Sequence, residues 1–318
     1  MKKFLVKFLL FGVILFGLAA GLDYVLCRGL LKMEDYRFQD YSAMLEGGME
    51  HDILIMGNSR GKSHFDTGLI DSLTGCSSFC IGIGGYPFNV QLAKYHLYRE
   101  RNRKPSMIIQ NVDHGTFEMR SDIRHQHQSE QFFPLVYDPV GRKELKKMGY
   151  GFFELNVPLY RFVGYQQVIK NGLLEALHVK HYVSVPADKG FRAESGKWDG
   201  SVLAQMEPFP VVLNEKAKAL FEEYLDQCEA DSIRVVLVYS PLYVGAREKM
   251  LDLQAAKDYF SEQAARHGFD YLDYTDCPIC LDTSNFCVSV HMNPTATKEF
   301  TRMLCKDLDS LAISPHAF

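Results

Sequence analysis

Apolar residues along this chain fall into one long run and several short ones. The long run is N-terminal. Lys2, Lys3 and Lys7 precede an uncharged stretch over residues 8–22, Asp23 interrupts it, and Tyr24, Val25 and Leu26 resume it. As a helix, residues 4–26 would measure roughly 34 Å at ~1.5 Å per residue, enough to cross a bilayer core. The uninterrupted part also suits the apolar region of a signal peptide, with Ala19 and Gly21 as a small-residue cleavage pair. Both readings keep the lysines in the cytoplasm and export the remainder of the chain. A buried core helix is the third reading; length and flanking charge favour an uncleaved anchor.

The short runs predict strands over residues 52–56 (DILIM), 78–83, 106–112 (SMIIQNV), 233–239 (IRVVLVY) and 269–273. Between them, helical spacing predicts helices over 89–100, over 214–227 with Asn214 as N-cap, over 247–267 ended by Gly268, and over 294–308 from Asn293. Continuous apolar strands alternating with amphipathic helices predict an α/β fold: a three-layer sandwich around a mostly parallel sheet. Residues 120–211 break the alternation. They are rich in aromatic residues, histidine and proline and hold Trp198, the single tryptophan. They read as an insertion or cap. The expected organisation is therefore 1–27 anchor or signal, 28–119 first part of the sheet domain, 120–211 cap, and 212–318 second part.

Composition changes little in this picture. A charged fraction of 23% is that of an ordinary globular chain, and 35 basic against 39 acidic residues leave no excess that would mark a nucleic-acid binder. Eight cysteines are too few for a disulfide scaffold, but export would permit disulfides, with Cys277–Cys280 and Cys76–Cys80 as candidates.

Candidate chemistry sits at the ends of the predicted strands, where open α/β sheets place their sites. The first strand runs into Gly57-Asn58-Ser59-Arg60, the second into Gly82-Ile83-Gly84-Gly85, and the third into Asn111-Val112-Asp113-His114. His291-Met292-Asn293-Pro294 precedes the last helix. A serine needs a base to become a nucleophile. A tetrahedral intermediate needs preorganised donors, which a glycine turn and an asparagine amide can supply. These are the parts of an acyl-transfer site, and none of them calls for a cofactor or metal.

Four blocks carry a resemblance to the SGNH (GDSL-like) hydrolase family. DILIMGNSR is similar to the nucleophile block, with Ser59 as the serine. CIGIGG is similar to the N-x-G-x-x-G turn, which implies Gly85 as the oxyanion glycine, although Cys80 stands where asparagine is common. IIQNVD falls where the asparagine block belongs; Asn111 is the candidate and Asp113 the alternative alignment. FCVSVHMN resembles the F-x-D-x-x-H-[LM]-N ending, with His291 as the base. Within the family, the G-[NS]-S-R form and a single N-terminal anchor resemble membrane-anchored, extracytoplasmic members linked to polysaccharide O-acetylation. The resemblance implies an esterase or O-acyltransferase of the periplasm or cell exterior. Its substrate would be a polysaccharide or acylated sugar, and a membrane-bound acyltransferase would be a partner. Asn58 and Arg60 flank the serine as substrate-binding candidates; Arg60 would hold an anionic sugar or else cap the sheet edge.

One departure is chemical. The family's acid lies three residues before the histidine, and here that residue is Val288, which cannot orient an imidazolium. Another carboxylate, with Asp282 and Asp276 nearest in sequence, could substitute. The pair could act as a Ser–His dyad, or the site could be degenerate, leaving a glycan-binding or scaffolding module.

Competing motifs are weaker. Gly57–Ser63 imitates a P-loop, but only three residues separate its glycines where four are needed. A P-loop would start a helix at Lys62 or Ser63, whereas the hydrolase reading has Ser59 closing the strand. Cys277-Pro278-Ile279-Cys280 is a C-x-x-C too late in the chain for a thioredoxin-like site, and its spacing to Cys76 and Cys80 is irregular for zinc. His125 and His127 alternate in a polar stretch that reads as a solvated loop. The aromatic stretch 152–165 could line a sugar groove or pack the cap.

Overall fold

The computed structural model describes residues 1–179, 187–196 and 198–311, and they form two compact units. One unit joins Met1–Leu45 to Ser121–Pro186; the other joins Glu46–Arg120 to Ala187–Phe318. This differs from the expected division at two places. Residues 28–45 belong with the segment read as a cap, and Ala187 onward returns to the sheet unit. The return is made by backbone bonding: Cys80 N–H donates to Lys189 O, and Phe209–Pro210 pairs with Met250–Leu251.

The sheet unit is α/β. Strands β1 (Ile53–Met56), β2 (Ser78–Cys80), β3 (Met107–Asn111), β4 (Arg234–Tyr239) and β5 (Asp270–Asp273) form one parallel sheet in the order β2-β1-β3-β4-β5. Alternate residues explain why the strands read as unbroken apolar runs. Ile53, Ile55, Ile109, Val236 and Val238 pack on one face against Ile70, Phe300 and Leu304 of helices Thr67–Thr74 and Pro294–Ser310. On the other face Met56 Sδ accepts from Tyr224 Oη of helix Glu215–Ala230, whose Phe221 and Tyr224 meet Phe88 of helix Phe88–Arg101 edge-on. Both faces are covered, so every residue of β1 and β3 is buried.

Two predicted elements differ. The second strand is shorter than expected, because past Cys80 only Ile81 and Ile83 donate to β1-side carbonyls, those of Ile55 and Gly57. The long helix over 247–267 is broken. Val244–Arg247 is a separate turn, Met250–Leu251 pairs as a strand, and Asp252 takes a left-handed φ of 59° before Leu253–Arg266 begins.

The other unit is helical and built on α1 (Lys2–Lys32). No residue of its most apolar 18-residue window is buried. Beyond that window Leu26, Cys27, Leu30 and Met33 form a core with Phe38, Phe133 and Phe162. Helix Gln166–Ala176 crosses α1 at two glycines: a Cβ on Gly29 would overlap the Gly172 carbonyl. Asp23, the charge that interrupts the apolar run, is 1% exposed. It pairs with Arg161 and accepts from Tyr137 Oη and Leu159 N–H, both at 2.6 Å.

Candidate functional site

The strand order reverses at β1 and β3, which is where a doubly wound sheet opens a crevice at its carboxyl end. Ser59 stands there. Gly57 ends β1 with φ 143°, and a Cβ on it would come within 2.8 Å of Asn111 Cβ, so only glycine fits the bend. Asn58 then caps a short helix, Ser59–Ser63, its Oδ1 accepting from Arg60 N–H at 3.0 Å. Ser59 is thus the first residue of a helix. It does not close a strand, and the helix begins three residues before the P-loop start at Lys62.

His291 arrives from a different part of the chain. Strands β6 (Phe286–Val288) and β7 (His291–Met292) form an antiparallel hairpin, and Asn293 caps the last helix. Ser59 Oγ lies 3.1 Å from His291 Nε2. On the other side of the ring, His291 Nδ1 lies 3.3 Å from Ser63 Oγ, which itself donates to Ser59 O at 2.8 Å. Since the Ser63 proton is committed to that carbonyl, its oxygen accepts from Nδ1–H. This leaves Nε2 as the acceptor for the Ser59 hydroxyl. The tautomer required of a general base is therefore set by a serine.

Neither carboxylate nearest in sequence is bonded to the ring, which leaves the dyad and the degenerate site of the three readings. Asp282 caps Ser284 N–H, and Asp276 pairs with Arg247. Burial first, and the nearby Arg60 charge second, hold His291 down to about 4, with Asp113 opposing weakly. The imidazole is neutral across the physiological range.

Beneath the pair lies a buried polar layer. Arg60 is 1% exposed; it donates to the Ser240 and Pro241 carbonyls, faces Asp113 at 3.8 Å and covers the Tyr239 ring at 5.0 Å. It is a structural cation under the site, and burial removes it as a substrate ligand. Asn58 Nδ2 donates to Asp113 Oδ2, so both ends of that amide are also engaged. Asp113 Oδ1 accepts from Gly115 N–H at 2.9 Å. Asn111 is 1% exposed and accepts from Ser240 Oγ at 2.8 Å, while its Nδ2 is buried without an acceptor. It is sealed beneath the bend at Gly57, whose added Cβ would meet Asn111 Cβ at 2.8 Å. A relay completes the layer: Met292 N–H donates to His64 Nε2, and His64 Nδ1 bonds Ser240 Oγ at 2.9 Å. Burial, then the Arg60 charge, keeps His64 well below its ordinary pKa.

The glycine turn faces the serine through Gly84, whose added Cβ would lie 3.8 Å from Ser59 Cβ; Gly85 is exposed and supplies the positive φ of 75°. Cys80 Sγ accepts from Gly82 N–H at 3.3 Å and so braces the start of this turn. Lys62 and Lys94, both buried, direct their ammonium groups to the Gly82 carbonyl.

Sequence reasoning missed Ser63, His64 and Ser240. The signal for Ser63 is its spacing: residues 59 and 63 share one face only if Ser59 opens a helix. All eight cysteines are free thiols; Cys277 and Cys280 sulfurs lie 3.7 Å apart, whereas Cys76 and Cys80 bond separate carbonyls. Among the described residues, Asp226, Glu229 and His267 could share a cation, but a His267–Glu229 hydrogen bond at 2.9 Å accounts for their proximity. No family model matches this chain, and no curated protein matches it.

Proposed function

We propose that the sheet unit is a serine-dependent acyl-transfer enzyme, an esterase or O-acyltransferase. It would work outside the cytoplasm on acyl groups, acetyl first among them, of a polysaccharide. The observation that carries the reading is the Ser59 Oγ–His291 Nε2 contact of 3.1 Å at the sheet's switch point. In the first step Ser59 Oγ bonds to the acyl carbon as its proton passes to His291 Nε2. The carbonyl oxygen gains the electron pair among the backbone N–H groups of Ser59 and the Gly84-Gly85 turn. Collapse expels the sugar alkoxide, which takes the proton from Nε2. Water or a second sugar hydroxyl then reverses these steps and frees Ser59. The sugar, the cell-surface location and a membrane acyltransferase partner rest on the SGNH resemblance alone.

A second reading is a catalytically weak glycan-binding or scaffolding module. It is favoured by Val288 in the acid's position and by an imidazolium disfavoured by burial. Labelling with a fluorophosphonate probe separates the two. Stoichiometric labelling lost in Ser59→Ala supports the enzyme. Equal labelling of both proteins removes Ser59 as nucleophile, and labelling of neither supports the module.

A further inference from the structure

From Phe8 to Val25, α1 is apolar except at Asp23 and almost entirely exposed, as a membrane span would be. Within the same unit, a cavity of about 220 Å³ is walled by Phe16, Ala20 and Asp23 of α1, by Leu155, Val157 and Pro158, and at its polar end by Arg142 and Arg161. Leu159 N–H donates to Asp23, so residues 155–159 run beside the stretch of α1 from Phe16 to Asp23, about 10 Å of helix at ~1.5 Å per residue. A span of ~20 residues that begins near Phe4 places Phe16 inside the hydrocarbon layer. The segment beside Phe16, Ala20 and Asp23 therefore stands at the edge of that layer, where hydrocarbon meets headgroups.

The surface of that segment matches this depth. Phe152 is 69% exposed, Phe153 57%, Tyr160 46% and Val163 76%. The three rings form one patch, with Phe152–Phe153 centroids 5.7 Å apart and Phe153–Tyr160 centroids 5.5 Å apart. An apolar aromatic cluster of this kind is costly in water and suited to the interfacial layer. Tyr24 and Tyr137, both about half exposed, meet edge-on at 5.3 Å one turn past the span, where an aromatic belt would lie. The neighbouring charges are paired or hydrogen-bonded: Asp23 is closed by Arg161, Glu154 pairs with the partly exposed Arg124 at 3.1 Å, and Arg142 donates to Leu155 O and Asn156 Oδ1.

We infer that the helical unit docks into the lipid bilayer through the Phe152–Phe153–Tyr160–Val163 patch. With α1, that patch makes a second, monotopic contact. The occupant is the acyl-chain and headgroup boundary of the membrane that α1 crosses. The inference rests on α1 being retained as an anchor.

The test uses the full chain in phosphatidylcholine–phosphatidylglycerol vesicles with acyl chains brominated near the headgroup. Phe153→Trp in a Trp198→Phe background provides a single emitter at an exposed position. Val163→Trp in the same background is the second variant. The expected result is a blue-shifted emission that loses most of its intensity in brominated vesicles and keeps it in unbrominated ones. Emission at both positions unchanged by bromine, in protein that resists alkaline carbonate extraction, overturns the docking and leaves the anchor. Release by carbonate overturns both.

Discussion

Val288→Asp places a carboxylate opposite His291, at the position where the SGNH ending that FCVSVHMN resembles carries one. His291 is held at about 4 against an ordinary 6.5, which disfavours the imidazolium by about 3 kcal/mol. In the proposed acyl transfer that cation forms in the transition state, so burial handicaps the Ser–His pair. Residue 288 faces His291 across the hairpin, and opposed residues hold their Cβ atoms about 5 Å apart. Val288 is 40% exposed, so screening is substantial. Two unit charges about 5 Å apart at an effective dielectric of about 40 attract by roughly 1.7 kcal/mol. That lifts the imidazole of His291 to about 5. With half of the gain expressed at the transition state, kcat/KM rises about fourfold. The assay is aryl acetate hydrolysis as a function of pH. The acid limb of kcat/KM should stand near pH 4 in the wild type and move up by about one pH unit in the variant. A wild-type limb at or above 6.5 would refute the argument from burial. An unmoved limb in a stably folded variant would show that residue 288 does not reach the ring.

Three further outcomes are expected from the same geometry. The unfolded chain binds the proton that buried His291 and His64 refuse. Stability of the sheet unit is therefore full above about pH 6.5 and falls as pH drops toward 4, by about 3 kcal/mol from His291; thermal melts across that window should decline, and a melting temperature that rises on acidification contradicts the assignment. Gly29→Ala forces the two-glycine crossing apart at a cost of about 1–3 kcal/mol, so limited proteolysis should open residues 121–179 while fluorophosphonate still labels Ser59. A hydrogen bond from the Cys280 thiol lowers Cys277 to about 7, and Cys277 is the one cysteine of the eight that is not buried; iodoacetamide at neutral pH should modify it first, read by peptide mass spectrometry.

Strands such as IRVVLVY were legible because a sheet covered on both faces removes polar alternation, and the Asn214 and Asn293 caps because side-chain capping is local. Ser59 and His291 were legible through motif blocks at strand ends. The rest depends on contacts that sequence order hides. Arg60 looked like a ligand because it adjoins the serine, yet one turn of helix points it at the Ser240 carbonyl, 180 residues away. Asn111 looked like the oxyanion donor, but the bend at Gly57 seals it beneath the floor. Residues 28–45 looked like part of the sheet domain, and only their packing on Phe133 and Phe162 assigns them elsewhere.

The split of each unit along the chain governs the order in which a nascent protein can close. Asp23 emerges 138 residues before the arginine that neutralises it, and β1–β3 emerge in that interval, still lacking β4 and the helices after it. Translation thus holds two half-built units open together, the first finishing only once helix Gln166–Ala176 has been made, the second only with the last helix. Such long-range closure is slow and leaves apolar strands unpartnered meanwhile. An anchor at α1 would hold the chain in place during this wait, and each molecule would complete its folding where it was made.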